Sequence, residues 1–132
     1  MLQVLAQQIA SVIAGDSRQI FLRDFDTSLD ISDAFNICDG LIKMAGKLEG
    51  TEFILSSGIE TSLRNLTQRC INYFEISESV ELISTQEKKT KPNVLIGSPK
   101  KAIDFLDWKP TTDPIQLMIN LVEYHKVDTK HD

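Results

Sequence analysis

The sequence predicts a small mixed α/β lobe, with about five helices and short strands between them, on three observations. Apolar residues recur at helical spacing in several separate segments. Short alternating or continuous apolar runs, bounded by Gly, Ser, Asp and Pro, lie between them. At 132 residues, with 42% hydrophobic and 25% charged side chains, the chain suffices for one core of modest stability. No repeat or low-complexity linker divides it, so it reads as a single lobe over residues 1–127 with a frayed tail over 128–132.

Each element has a local reason. Leu2, Leu5, Ile9 and Val12 fall on one face of a first helix that Gly15 stops. Residues 20–25 alternate as a strand, and Asp26, Thr27 and Ser28 turn the chain. Ser32 or Asp33 caps a second helix whose predicted buried face is Phe35, Cys38, Leu41, Ile42 and Ala45, with Gly46 or Gly50 at its end. Residues 51–56 read as a strand and Ser57-Gly58 as a turn. Thr61 or Ser62 then caps a third helix burying Leu63, Leu66, Cys70 and either Tyr73 or Phe74. Val80, Leu82 and Ile83 predict another strand, and residues 94–96, ending at Gly97, one more; Pro92 between them belongs to a loop or a strand edge. Ser98-Pro99 opens a short fourth helix, because serine accepts from free amides and proline gives up no hydrogen bond at the first helical position. Thr112 or Asp113 caps a last helix from Pro114, with Ile115, Met118, Leu121 and Val122 available for burial.

Composition excludes several function classes. No apolar run approaches the ~20 residues of a membrane span, and residues 2–13 carry Gln3, Gln7, Gln8 and Ser11, so neither a span nor a secretion signal is indicated. Cys38 and Cys70 have no Cys-x-x-Cys spacing and sit on the apolar sides of predicted helices, the pattern of buried free thiols in a reducing cytoplasm. A net charge of −5 argues against generic nucleic-acid binding. The charge is uneven, however: residues 88–103 hold Lys88, Lys89, Lys91, Lys100 and Lys101 with no acidic residue, which fits either an anion site or a solvated loop.

Catalytic patterns are missing. No GxGxxG stretch occurs among the six glycines, and no P-loop. Tyr73 and Tyr124 have no lysine four residues on to lower a phenol pKa. His125 and His131 lie near the C-terminus with no serine or cysteine in a nucleophile context. Asp24, Asp26, Asp30 and Asp33 are close in sequence but not at calcium-loop spacing, and read as caps and turn residues. No catalytic, cofactor-binding or metal-ligating residue is assigned.

Three segments in order carry a resemblance. Ala6-Gln7-Gln8-Ile9-Ala10 ends its helix at Ala14-Gly15. Gly50-Thr51-Glu52-Phe53-Ile54-Leu55-Ser56-Ser57-Gly58 precedes Thr61-Ser62-Leu63-Arg64-Asn65-Leu66. Gly97-Ser98-Pro99-Lys100-Lys101 leads through Leu106-Asp107-Trp108-Lys109-Pro110 to the last helix. Together they resemble the C-terminal substrate-binding lobe of NAD-dependent nucleotide-sugar epimerases and dehydratases, the extended short-chain dehydrogenases, and within them GDP-mannose dehydratases and their reductase relatives. The resemblance implies the C-terminal half of such an enzyme without its Rossmann domain, inactive alone, with NAD(P) implied only for a Rossmann partner. It implies a nucleotide-diphosphate sugar as ligand, a separate Rossmann-domain subunit or self-association as protein partner, no nucleic acid, no membrane, and a cytoplasmic location.

The implied substrate-binding residues are Arg23, Lys88 and Lys89. Arg23-Asp24-Phe25 matches the family's Arg-Asp-Phe phosphate motif literally, whereas a nearly gapless placement puts Leu29-Asp30-Ile31 there and removes the arginine; both stay open. Lys88-Lys89 falls where the family has Arg-Pro, keeping charge but losing the bidentate fork. Asp107 stands for the glycine before tryptophan, a position where aspartate tolerates a left-handed helix end. A degenerate non-catalytic nucleotide-binding or protein-interaction module is the alternative.

Overall fold

The computed structural model of the protein describes residues 1–47, 50–86 and 94–128. Among the described residues, five α-helices and four short strands form two compact units, one within residues 1–27, 62–92 and 115–132 and one within residues 28–61 and 93–114. No helix among the described residues is long and apolar enough to cross a membrane.

In the first unit, α1 (Leu2–Ala14) buries Leu5, Ile9 and Val12 as their spacing predicts. It ends in a left-handed Gly15, φ 84°, with the Asp16 amide donating back to the Ser11 carbonyl at 3.0 Å. Strand β1 (Gln19–Leu22) alternates exposed and buried, and it pairs in parallel with β4 (Glu81–Ser84), Ile20 opposite Leu82. The Gln8 side chain closes the outer edge of β1: its Oε1 accepts from the Phe21 N–H at 2.7 Å while its Nε2 donates to the Phe21 carbonyl at 2.9 Å. Helix α3 (Leu63–Tyr73) is capped by Ser62, whose hydroxyl accepts from the Asn65 N–H, and it buries Leu63, Leu66, Cys70 and Ile71. Tyr73 is exposed and Phe74 only partly covered, so neither is the deep core residue that the periodicity predicts. Helix α5 (Pro114–Asp128) adds Met118, Val122 and a buried His125. Residues 129–132, most of the expected tail, and His131 with them, lie outside the described residues.

In the second unit, strand β2 (Ser28–Asp30) pairs with β3 (Glu60–Ser62). Asp33 caps α2 (Ala34–Ala45), its carboxylate accepting from the Phe35 N–H at 2.8 Å, and α2 packs on α4 (Lys100–Leu106). Ala102, Leu106 and Trp108 form the core, and Ile37, Met44, Phe53 and Leu55 pack against it.

Three expectations are corrected here. Residues 51–56 and 94–96 belong to no ladder among the described residues: Phe53 and Leu55 lie on the Trp108 cluster, and the backbone at each segment's end is held by a carboxylate instead of a strand. Pro99, not Ser98, stands at the cap position of α4, and no side chain caps that helix. The hydroxyl of Thr112, which with Asp113 is one of two cap candidates for α5, accepts from the Asp33 N–H at 2.7 Å. The largest correction concerns α2, whose predicted buried stripe faces outward: Phe35 is 86% exposed, Ile42 74% and Leu41 52%, and Cys38 is exposed. The covered side is the neighbouring stripe with Ile37, Gly40 and Met44, because a glycine at 40 lets the Leu55 methyls and the Trp108 ring come to where a Cβ would stand.

Candidate anion-binding site

The carboxylates of Asp24 and Asp26, which follow β1, are committed to structure. Asp24 accepts from the Asp26 N–H at 2.8 Å and from the Thr27 hydroxyl, closing the turn. Asp26 pairs with Arg64 at 2.9 Å, and the Arg64 guanidinium lies over the Phe25 ring. Arg23 stays exposed just past the end of β1, with no carboxylate on it among the described residues.

Arg23 is held by the other strand of the ladder. Its Nε donates to Gln86 Oε1 at 2.7 Å, and its carbonyl accepts from the Gln86 N–H at 3.0 Å. The register of β1 against β4 causes this, since Leu22 faces Ser84 and the next residues continue the pairing as the Thr85 amide donates to the Leu22 carbonyl. Gln86 stands two positions before Lys88 in the chain. Lys88 and Lys89 themselves lie outside the described residues.

The rival placement of the phosphate motif, at Leu29-Asp30-Ile31, has a different role. Asp30 accepts from the Ser57 N–H at 2.8 Å, the Ser57 hydroxyl, the Gly58 N–H at 3.2 Å and the Gly97 N–H at 3.0 Å. Burial pushes its pKa up, the bonds from Ser57, Gly97 and Gly58 push it down, and the net is below the usual carboxylate value of 3.8. Gly97 is required for this approach, because a Cβ there would overlap Ser56 Oγ and come within 2.7 Å of Ser56 Cβ. Asp30 therefore joins β2, the Ser57-Gly58 turn and Gly97 into one node.

A cleft of about 380 Å³ beside Trp108 is lined by Asn36, Asp39, Lys43 and Lys109. Its polar groups serve the fold. The Asn36 amide bonds to the Lys109 carbonyl and the Thr111 N–H, and Lys43 Nζ donates to the Asp107 carbonyl at 2.7 Å and pairs with Asp39. Trp108 is 2% exposed, with its Nε1 donating to the Asn36 carbonyl, so it is a core residue and no stacking platform. Nor do the residues present fit a dinucleotide. The turn after β1 has no glycine, and its Asp26 amide, which could meet a pyrophosphate, is taken by Asp24.

The architecture defines a fold class first: a small mixed α/β lobe of five helices and short strands among the described residues. No protein-family profile matches the chain. Among solved structures it is similar to RMD from Pseudomonas aeruginosa complexed with NADPH, at TM-score 0.85 and 19% identity over 96% of this chain and 42% of that one. It is also similar to UDP-glucose 4-epimerase from Bifidobacterium longum in complex with NAD+ and UDP, at TM-score 0.69 and 12% identity over 97% of this chain and 41% of that one. A third is dTDP-glucose 4,6-dehydratase from Bacillus anthracis in complex with NAD, at 0.71 and 12% over 98% and 40%. At these identities the likeness is one of fold. The chain spans about two-fifths of the length of the structures it matches.

Proposed function

We propose that the chain is the substrate-binding lobe of an NAD-dependent nucleotide-sugar dehydratase or epimerase, closest to the GDP-mannose dehydratase and reductase group. It holds the diphosphate of a sugar nucleotide through Arg23, Lys88 and Lys89 and performs no redox step alone, working beside a Rossmann domain in the cytoplasm. One observation supports this reading: the exposed Arg23 guanidinium is hydrogen-bonded to Gln86, which stands two positions before Lys88 in the chain. A guanidinium and two ammonium groups suit a diphosphate, whose charge they neutralise by charge-assisted hydrogen bonds.

Thermal unfolding with GDP and GDP-mannose tests it. A ligand at a hundredfold its Kd stabilises by about 2.7 kcal/mol, and Arg23→Gln or the pair Lys88→Gln with Lys89→Gln reduces that shift. An unchanged melting temperature at millimolar ligand sinks the proposal. It would favour the second reading, a degenerate protein-interaction module, which the uncovered face of α2 supports.

A further inference from the structure

The outward face of α2 is a feature that the diphosphate site leaves unused. Phe35, Cys38, Leu41 and Ile42 recur at helical spacing on it, and all are exposed. The adjacent charges cancel: Asp39 and Lys43 form an ion pair with each other at 3.1 Å, so the face carries no net charge to hold it in water. A contiguous apolar face of this kind marks a contact surface.

Size argues for what covers it. The 12 residues of α2 extend about 18 Å, and a helix about 10 Å across offers along that length only a few hundred Å². A second copy stacking α2 on α2 stays far below the ~800 Å² per partner of a stable interface. The structures that share this fold each continue for about three-fifths of their length beyond the matched part, and those named above hold NADPH or NAD, for which this chain has no glycine-rich loop.

We propose that the Phe35–Cys38–Leu41–Ile42 face of α2 is the docking surface for a dinucleotide-binding α/β domain, carried on the same polypeptide or a separate one. This rests on the reading of the chain as one part of a two-part enzyme, and it names the place where the other part sits. The domain covers α2 as one strip of a larger contact, which explains why a helix spends its more apolar stripe on the outside.

Cys38 is a built-in probe. In the isolated chain its thiol reacts with a maleimide at the rate of a free exposed cysteine at both micromolar and near-millimolar protein. Cys70 stays silent, because burial pushes its thiol up to about 11. Next, the chain replaces the matched part of Pseudomonas aeruginosa RMD in a single polypeptide, with NADPH binding as the report that the joined domain is folded. Cys38 labelling then slows by about tenfold or more, and Phe35→Glu with Ile42→Glu restores it. Full Cys38 reactivity in an NADPH-binding fusion overturns the proposal. So does protection that grows with concentration in the isolated chain, or a Cys38–Cys38 disulfide, either of which assigns the face to a second copy. No sugar nucleotide enters the measurement, so its failure is separate from failure of the diphosphate site.

Discussion

Asp30 accepts four hydrogen bonds from two segments that lie 27 and 67 residues away in the chain. Removing its side chain strands three backbone amides at once, and Asp30→Ala is expected to cost about 2–3 kcal/mol in denaturant unfolding. Its pKa is lower in the folded chain than in the unfolded one, so its contribution is whole above 3.8 and is lost as pH falls through the lower folded value. Stability measured against pH should therefore drop on the acid side, and Asp30→Asn should flatten that drop; an unchanged acid limb in the variant would refute the role. Asp107 makes the opposite case, since it sits in the left-handed region at φ 50° and ψ 39° at the end of α4. The hydrogen bond shown at Asp107 among the described residues is to its backbone carbonyl, from Lys43, so Asp107→Gly should be neutral or stabilise by up to about 1 kcal/mol, whereas Asp107→Val should destabilise by about 1–2 kcal/mol. The sequence reading reached the caps Asp33 and Ser62 and the left-handed Asp107 because those roles are decided within a few residues. It missed the Asp30 node because nothing local marks an acceptor whose donors are so distant.

At the scale of elements, periodicity located all five helices but ranked the faces of α2 wrongly. Two apolar stripes run along that helix, one with Ile37 and Met44 and one with Phe35, Leu41 and Ile42. Hydrophobic spacing favours the second, but packing chose the first, since Gly40 admits Leu55 and Trp108 closely enough to build a core. The two missing strands fail for a related reason: an apolar run of three to six residues says that a segment is covered, not that a ladder partner exists. Trp108 follows its neighbours faithfully, and Trp108→Ala should cost about 3–5 kcal/mol by calorimetry, much of the stability of a lobe this size. Gly97→Ala should be disruptive beyond its small volume, because the added methyl meets Ser56 while the same residue must keep its amide on Asp30.

For the molecule as a whole, a net charge of −5 coexists with a basic stretch over residues 88–103. Diphosphate affinity at Arg23, Lys88 and Lys89 is accordingly expected to weaken between 0.05 and 0.3 M salt by about tenfold, as the Debye length shrinks toward contact distances. Isothermal titration at two ionic strengths checks this, and a salt-independent Kd would point to uncharged contacts instead. The fold likeness to about two-fifths of the matched structures was legible from three ordered motifs, because a turn such as Leu106-Asp107-Trp108-Lys109-Pro110 joins a left-handed helix end to a buried tryptophan within a few residues. The ladder that ties Arg23 to Gln86 was not, since parallel pairing across 63 residues leaves no trace in spacing. The Gln8 carboxamide has a consequence of its own. By matching both hydrogen-bonding groups of Phe21 it impersonates a neighbouring strand, so a foreign chain that would template fibril growth along that rim finds its seat already taken.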